Sequence, residues 1–146
     1  MRYARRSVRL VVDTNVVISA LLWGGTPKVL FALGETNDIS FYTSRALLDE
    51  LADVLSRKKL AKTISAIPAT PASLLRHYQG FAHVVQPRIV ERIVPNDPDD
   101  DQVLACAVAA NADLIVSGDK HLHDLGGNYS GIRIVTPAQA VQLIAR

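Results

Sequence analysis

The feature that most constrains this chain is a series of short apolar runs, rich in β-branched residues, set between segments of helical period. Ser7-Val-Arg-Leu-Val-Val12, Ile39-Ser-Phe-Tyr-Thr43, His83-Val-Val-Gln86, Leu114-Ile-Val-Ser117 and Gly131-Ile-Arg-Ile-Val135 read as strands. Runs that stay apolar with little alternation are buried on both faces, as in a parallel sheet covered by helices on each side. Between them, Thr14 to Trp23 reads as a helix ended by Gly24-Gly25. Thr26-Pro27 gives an N-cap followed by proline at the first helical position, and Gly34 stops that short helix. Ser44 caps a helix carrying Leu47, Leu51, Val54 and Leu55 inward. Thr70-Pro71 opens another to about Phe81, and Asp97-Pro98 starts one that turns Val103, Leu104, Ala107 and Val108 to the core. Thr136-Pro137 caps the last. The architecture expected is α/β: a Rossmann-like three-layer sandwich whose central, mostly parallel sheet of about five strands is covered by helices on both faces.

At 146 residues, 49% hydrophobic and 21% charged, the chain fits one globular domain over 1–146, with 1–7 as a basic extension. A lone cysteine, Cys106, excludes an intrachain disulfide, a multi-cysteine zinc knuckle and an iron–sulfur cluster; it reads as a small core residue. The longest mostly apolar stretch, Val16 to Trp23, falls well short of the roughly 20 residues a membrane helix needs. The arginine-rich start runs straight into Leu10-Val-Val-Asp13, which leaves no room for a cleavable transit segment. The expected setting is the cytoplasm, with no membrane.

The net charge of +2 conceals an uneven distribution. Residues 1–9 hold Arg2, Arg5, Arg6 and Arg9 with no acid, while 97–124 hold seven of the 14 carboxylates. Open parallel sheets place their sites beyond the carboxyl ends of the strands. Asp13 directly follows the first strand, and Asp119 follows Val116-Ser117 at the end of a later one. Glu50 lies three residues from Leu47 and four from Val54, and Asp101 three from Leu104 and four from Ala105. Both therefore fall on apolar stripes, where an ionised carboxylate needs a partner. Asp49, Asp53 and Asp100 read as solvated, and Asp97, Asp99 and Asp100 suit the first turn of their helix. Plainer readings exist for two of the four: Asp13 as a helix cap, Asp119 as a turn residue.

If Asp13, Glu50, Asp101 and Asp119 converge, they need a counter-charge. Two like charges 4 Å apart repel by roughly 4 kcal/mol at an effective dielectric near 20. A donor set of oxygens without cysteine favours Mg²⁺ or Mn²⁺, which suits metal-assisted phosphodiester hydrolysis.

Rival motifs are weaker. Asp97-x-Asp99-x-Asp101 begins like an EF-hand loop, but Gln102 and Val108 stand where glycine and glutamate are required. A phosphatase using Asp13 as nucleophile would, by resemblance to such enzymes, want a second acid where Asn15 stands. No glycine fingerprint follows the first strand, and no nucleophile elbow is present. His121-x-His123 reads as a surface loop rather than a metal site. The basic cluster Arg57, Lys58, Lys59 and Lys62 serves equally as an RNA-backbone contact or a solvated helix end.

Four segments stand in order: Val12-Asp13-Thr14-Asn15 with Ser19 following, Leu48-Asp-Glu50-Leu51, Asp97-Pro-Asp-Asp-Asp101-Gln-Val-Leu-Ala105, and Val116-Ser-Gly-Asp119-Lys-His-Leu122. In this the whole chain resembles a PIN domain, the metal-dependent nuclease family. It is also similar to the VapC-like toxin components of bacterial type II toxin–antitoxin pairs. The resemblance implies that Asp13, Glu50, Asp101 and Asp119 bind Mg²⁺ or Mn²⁺ and carry catalysis, with Asn15 and Ser117 positioning the site. The assignment of Asp101 rather than Asp99 or Asp100 rests on Leu104-Ala105 following at the family's spacing. It also implies endoribonuclease activity on RNA, a homodimer and a small antitoxin partner. The alternative is a non-catalytic module that binds nucleic acid or an antitoxin.

Overall fold

The structure is a computed structural model and describes residues 7–36, 39–94 and 97–144. The basic extension, apart from Ser7, lies outside the described residues. Six strands form one sheet: β1 (Val8–Val12), β2 (Ile39–Thr43), β3 (Ala82–Val84), β4 (Leu114–Val116), β5 (Asn128–Tyr129) and β6 (Ile132–Val135). Their order is β3-β2-β1-β4-β6-β5. Every pairing is parallel except β5 with β6, a two-residue edge strand turning back through Ser130 and Gly131, both at positive φ. The expected sheet is thus present, with one antiparallel strand more than anticipated.

Eight helices are described: α1 (Thr14–Leu22), α2 (Thr26–Leu33), α3 (Arg45–Leu55), α4 (Lys58–Ser65), α5 (Pro71–Gln79), α6 (Pro98–Ala109), α7 (Lys120–His123) and α8 (Pro137–Ile144). Their starts follow the capping chemistry. Asp13 accepts from the Val16 N–H, Ser44 from Leu47, Thr70 from Ser73 and Thr136 from Gln139. One cap differs from expectation: Gly25 precedes α2, so Thr26 is already helical. Val108 also differs; it is 49% exposed rather than inward.

The pleat of β1 divides the core. Leu10 and Val12 face one side, with α1, α2, α5, α8 and most of α3's buried leucines. Val11 faces the other, against Val103, Leu104, Cys106 and Ala107 of α6. The chain leaves β1 toward β2 on one side, whereas β4 leads to β6 on the other. The gap beyond the carboxyl ends of β1 and β4 is therefore the sheet's switch point, where ligands bind in open α/β folds. No single helix among the described residues is long and apolar enough to cross a membrane.

Candidate active site

Asp13 begins at the end of β1, where its N–H still pairs with the Val116 carbonyl at 3.0 Å. Its side chain is buried and has two tasks. Oδ1 accepts from the Val16 N–H at 3.0 Å, and Oδ2 accepts from the Ser117 hydroxyl. Ser117, fully buried at the end of β4, accepts in turn from the Asp119 N–H at 2.9 Å. Its carbonyl takes the His123 Nε2–H at 2.7 Å. Two neighbouring strands and one serine thereby fix the spacing of Asp13 and Asp119.

Glu50 comes from α3. It is half-buried, held by the Thr14 hydroxyl and close to Asp99. From α6 come Asp99 and Asp100, and from its cap Asp97, whose Oδ1 accepts from the Asp100 N–H at 3.3 Å. A cavity of about 230 Å³ is lined by Asp13, Glu50, Asp97, Asp99, Asp100 and Asp119, together with Thr14, Asn15 and Arg57.

Three of the four predicted acids, Asp13, Glu50 and Asp119, line this cavity. Asp101 does not. Its side chain is 1% exposed and turned the other way. There Oδ1 accepts from the Ile93 and Val94 N–H groups at 2.9 and 2.8 Å. Oδ2 meets the Arg92 guanidinium at 3.1 Å, an ion pair whose angle is too poor for a hydrogen bond. Asp101 thus straps the segment before α6 onto that helix. Asp100, expected in solvent, takes the inward place instead; it is 5% exposed, and its Oδ2 has no hydrogen-bond donor.

The one-residue shift has a physical origin. In α6 Asp100, Asp101 and the whole run Val103 to Ala107 are buried. A helix covered on nearly every side offers no single apolar stripe against which to read a register. Asp97 and Asp99 were legible as first-turn acids, and both keep that place while also facing the cavity. His121, read as a loop residue, instead belongs to α7 and reaches the rim of the cluster. Asn15 and Ser117 fall where expected. Of the basic group, Arg57 lines the cavity and also pairs with Asp53 at 3.1 Å, while Lys58, Lys59 and Lys62 are exposed on α4.

The electrostatics record the crowding. Burial raises the Asp13 carboxyl above its ordinary value, a rise opposed by the Ser117 and Val16 hydrogen bonds. Burial and then the adjacent Asp99 lift Glu50 to about 7. Burial, followed by Asp97 and Asp119, lifts Asp100 to about 8. Asp97 moves down: desolvation works against its charge but is outweighed by hydrogen bonds from Asp100 and His121. On its own the pocket holds protons that a cation would replace. The orphaned Asp100 oxygen among carboxylates fits a hard divalent ion bound by oxygen ligands.

A family profile described as PIN domain matches residues 9–121. The chain belongs to the PIN domain family. PIN domains are in general nucleases that use divalent metals, and a cluster of acidic residues is present here. The fold is similar to a solved structure titled as VapBC2 from Rickettsia felis bound to a DNA fragment from their promoter. That match has a TM-score of 0.59 and 15% identity, over 88% of this chain and 98% of the other. No curated protein sequence matches the chain.

Proposed function

We propose that this PIN domain is a Mg²⁺- or Mn²⁺-dependent endoribonuclease, acting as the toxin of a toxin–antitoxin pair. The observation that carries the reading is the convergence of six carboxylates in one cavity at the sheet's switch point. Asp13, Glu50, Asp97, Asp99, Asp100 and Asp119 offer the oxygen ligands by which a metal would be held. Asp100 takes the role that the sequence assigned to Asp101, because it alone of the two faces the cavity.

The ion, when bound, supplies the positive charge that acidifies a water and offsets charge developing on the phosphate. The chain's own residues set the geometry. Ser117 holds Asp13 and Asp119 at a fixed separation, and Thr14 orients Glu50. Asn15 and Arg57 line the mouth, where they would meet the sugar–phosphate backbone; Lys58, Lys59 and Lys62 extend that basic edge along α4.

A VapB-type antitoxin as partner, a homodimeric state and a cytoplasmic location complete the reading. The antitoxin rests on the similarity to the VapBC2 complex. The test is cleavage of structured and single-stranded RNA with Mn²⁺, Mg²⁺ or EDTA. Wild type should cut only with metal, Asp13→Asn and Asp100→Asn should lose at least about a hundredfold in rate, and Asp101→Asn should retain most of it. Cutting of DNA but not RNA would replace the substrate. Metal binding without cleavage of either would favour the non-catalytic module.

A further inference from the structure

Among the described residues, His121 is the histidine gathered with the acids. Its Nδ1 lies 3.4 Å from Asp97 Oδ2 and 3.6 Å from Asp119 Oδ1. One donor atom from each of Asp97, Asp100, Asp119 and His121 lies within 4.8 Å of every other. Around an octahedral ion with ligands at about 2.1 Å, neighbouring donors stand about 3 Å apart and opposite ones about 4.2 Å. The four donors therefore already span little more than one coordination sphere.

An acidic cluster alone would not make a site. The second observation is Asp100, which is 5% exposed and points an oxygen without any donor into this same group. Exposed histidines commonly pair with carboxylates, but a pairing with Asp97 and Asp119 gives the buried Asp100 oxygen no donor and leaves it only a proton shared with those carboxylates. A shared ion answers it.

We propose that His121 is a nitrogen ligand to an ion held by Asp97, Asp100 and Asp119, and that it biases the pocket toward Mn²⁺ over Mg²⁺. Imidazole is a poor ligand for Mg²⁺, and affinity for nitrogen-containing sites rises along the first transition series from Mn²⁺ upward. The cavity then has two unlike ends. Asp13, Glu50 and Asp99 offer oxygen alone, while the end beside α7 offers oxygen and one ring nitrogen. The backbone helps to aim that ring, since the His121 N–H donates to Asp119 Oδ1 at 2.7 Å. His123 makes no such contact; its ring nitrogen is engaged by the Ser117 carbonyl.

The inference rests on the metal-dependent reading of the cavity, and one experiment separates the two. Mn²⁺ is added to the full chain and to His121→Ala, and electron spin-echo envelope modulation looks for directly bound nitrogen. Affinities for Mn²⁺ and Mg²⁺ are measured alongside by calorimetry. The expected result is nitrogen modulation in wild type that vanishes in His121→Ala. Mn²⁺ affinity should fall on the order of tenfold, while Mg²⁺ affinity changes less than about threefold. Mn²⁺ bound without nitrogen modulation in wild type, or equal losses for both ions, overturns the role of His121 alone. Absence of Mn²⁺ binding to wild type overturns it together with the metal-dependent reading.

Discussion

Removing the carboxylate of Asp101 would strip the acceptor from the Ile93 and Val94 N–H groups and leave Arg92 without its counter-ion. Asp101→Ala should therefore cost about 3 kcal/mol, because buried donors left unmade forfeit their solvation. For a domain of this size that is a fall of roughly 6–12 °C in melting temperature. Circular dichroism checks it, and a shift under 2 °C would mean the strap contributes nothing. Its neighbour should behave in the opposite way. Asp100 has no donor to lose at Oδ2 and is crowded by the carboxylates of Asp97 and Asp119, so Asp100→Asn relieves repulsion. In EDTA at pH 8 this variant should melt at or above the wild-type temperature while losing most of its affinity for Mn²⁺. A clear drop in melting temperature would make Asp100 structural and the cavity reading wrong. Adjacent residues with opposite roles explain the limit of the sequence. Asp13, Glu50 and Asp119 were legible because each sits at a strand end or on a one-sided helix. Asp101 was expected beside them and instead lies outside the cavity, because the long buried run of α6 gives no single stripe from which to read its register.

Elements show a similar boundary between what local pattern specifies and what packing decides. β1 and β2 were legible because their apolar runs are bounded by caps, Asp13 and Ser44, whose side chains do what such residues do before a helix. β5 and α7, at two and four residues, are too short to carry a period; they exist because β6 and Asp119 give them partners. α4 escaped notice because its lysines mask an amphipathic helix that buries Leu60 and Ile64. The turn after α2 tests packing directly. A Cβ at Gly34 would stand 2.6 Å from the Phe41 ring, which is itself buried and boxed in by Phe31 and Phe81. That ring has to shift, so Gly34→Ala should destabilise by about 1–3 kcal/mol through overpacking. Chemical denaturation measures this, and an unchanged midpoint would show the aromatic cluster to be looser than it looks. Because Gly34 lies on the far side of the sheet from α6, RNA cleavage at a temperature where the variant is folded should be unaffected.

The molecule as a whole couples its stability to pH through the same cavity. Glu50 and Asp100 bind their protons more tightly in the folded chain than in the unfolded one, with values raised from 4.5 to about 7 and from 3.8 to about 8. Between each ordinary value and the folded one, the native state holds more protons than the unfolded state. Stability therefore falls as pH rises through that interval. In EDTA the part of stability due to these two groups is fully present below about pH 4 and lost by about pH 8. A divalent ion reverses the trend, since it binds the deprotonated carboxylates and must displace protons at lower pH. At a free concentration a hundred times its dissociation constant, an ion contributes about 2.7 kcal/mol to the folded state. The gap between melting temperatures with Mn²⁺ and with EDTA should accordingly be small at pH 5 and widen steadily to pH 8. In Asp100→Asn the EDTA curve should be flatter over the same range, and the gap smaller throughout. Paired thermal scans at half-unit steps decide the matter: a gap that stays constant with pH would detach the ion from these carboxyls. The near-neutral net charge gives no hint of this coupling, because it averages a basic start against an acid pocket whose charge depends on what is bound.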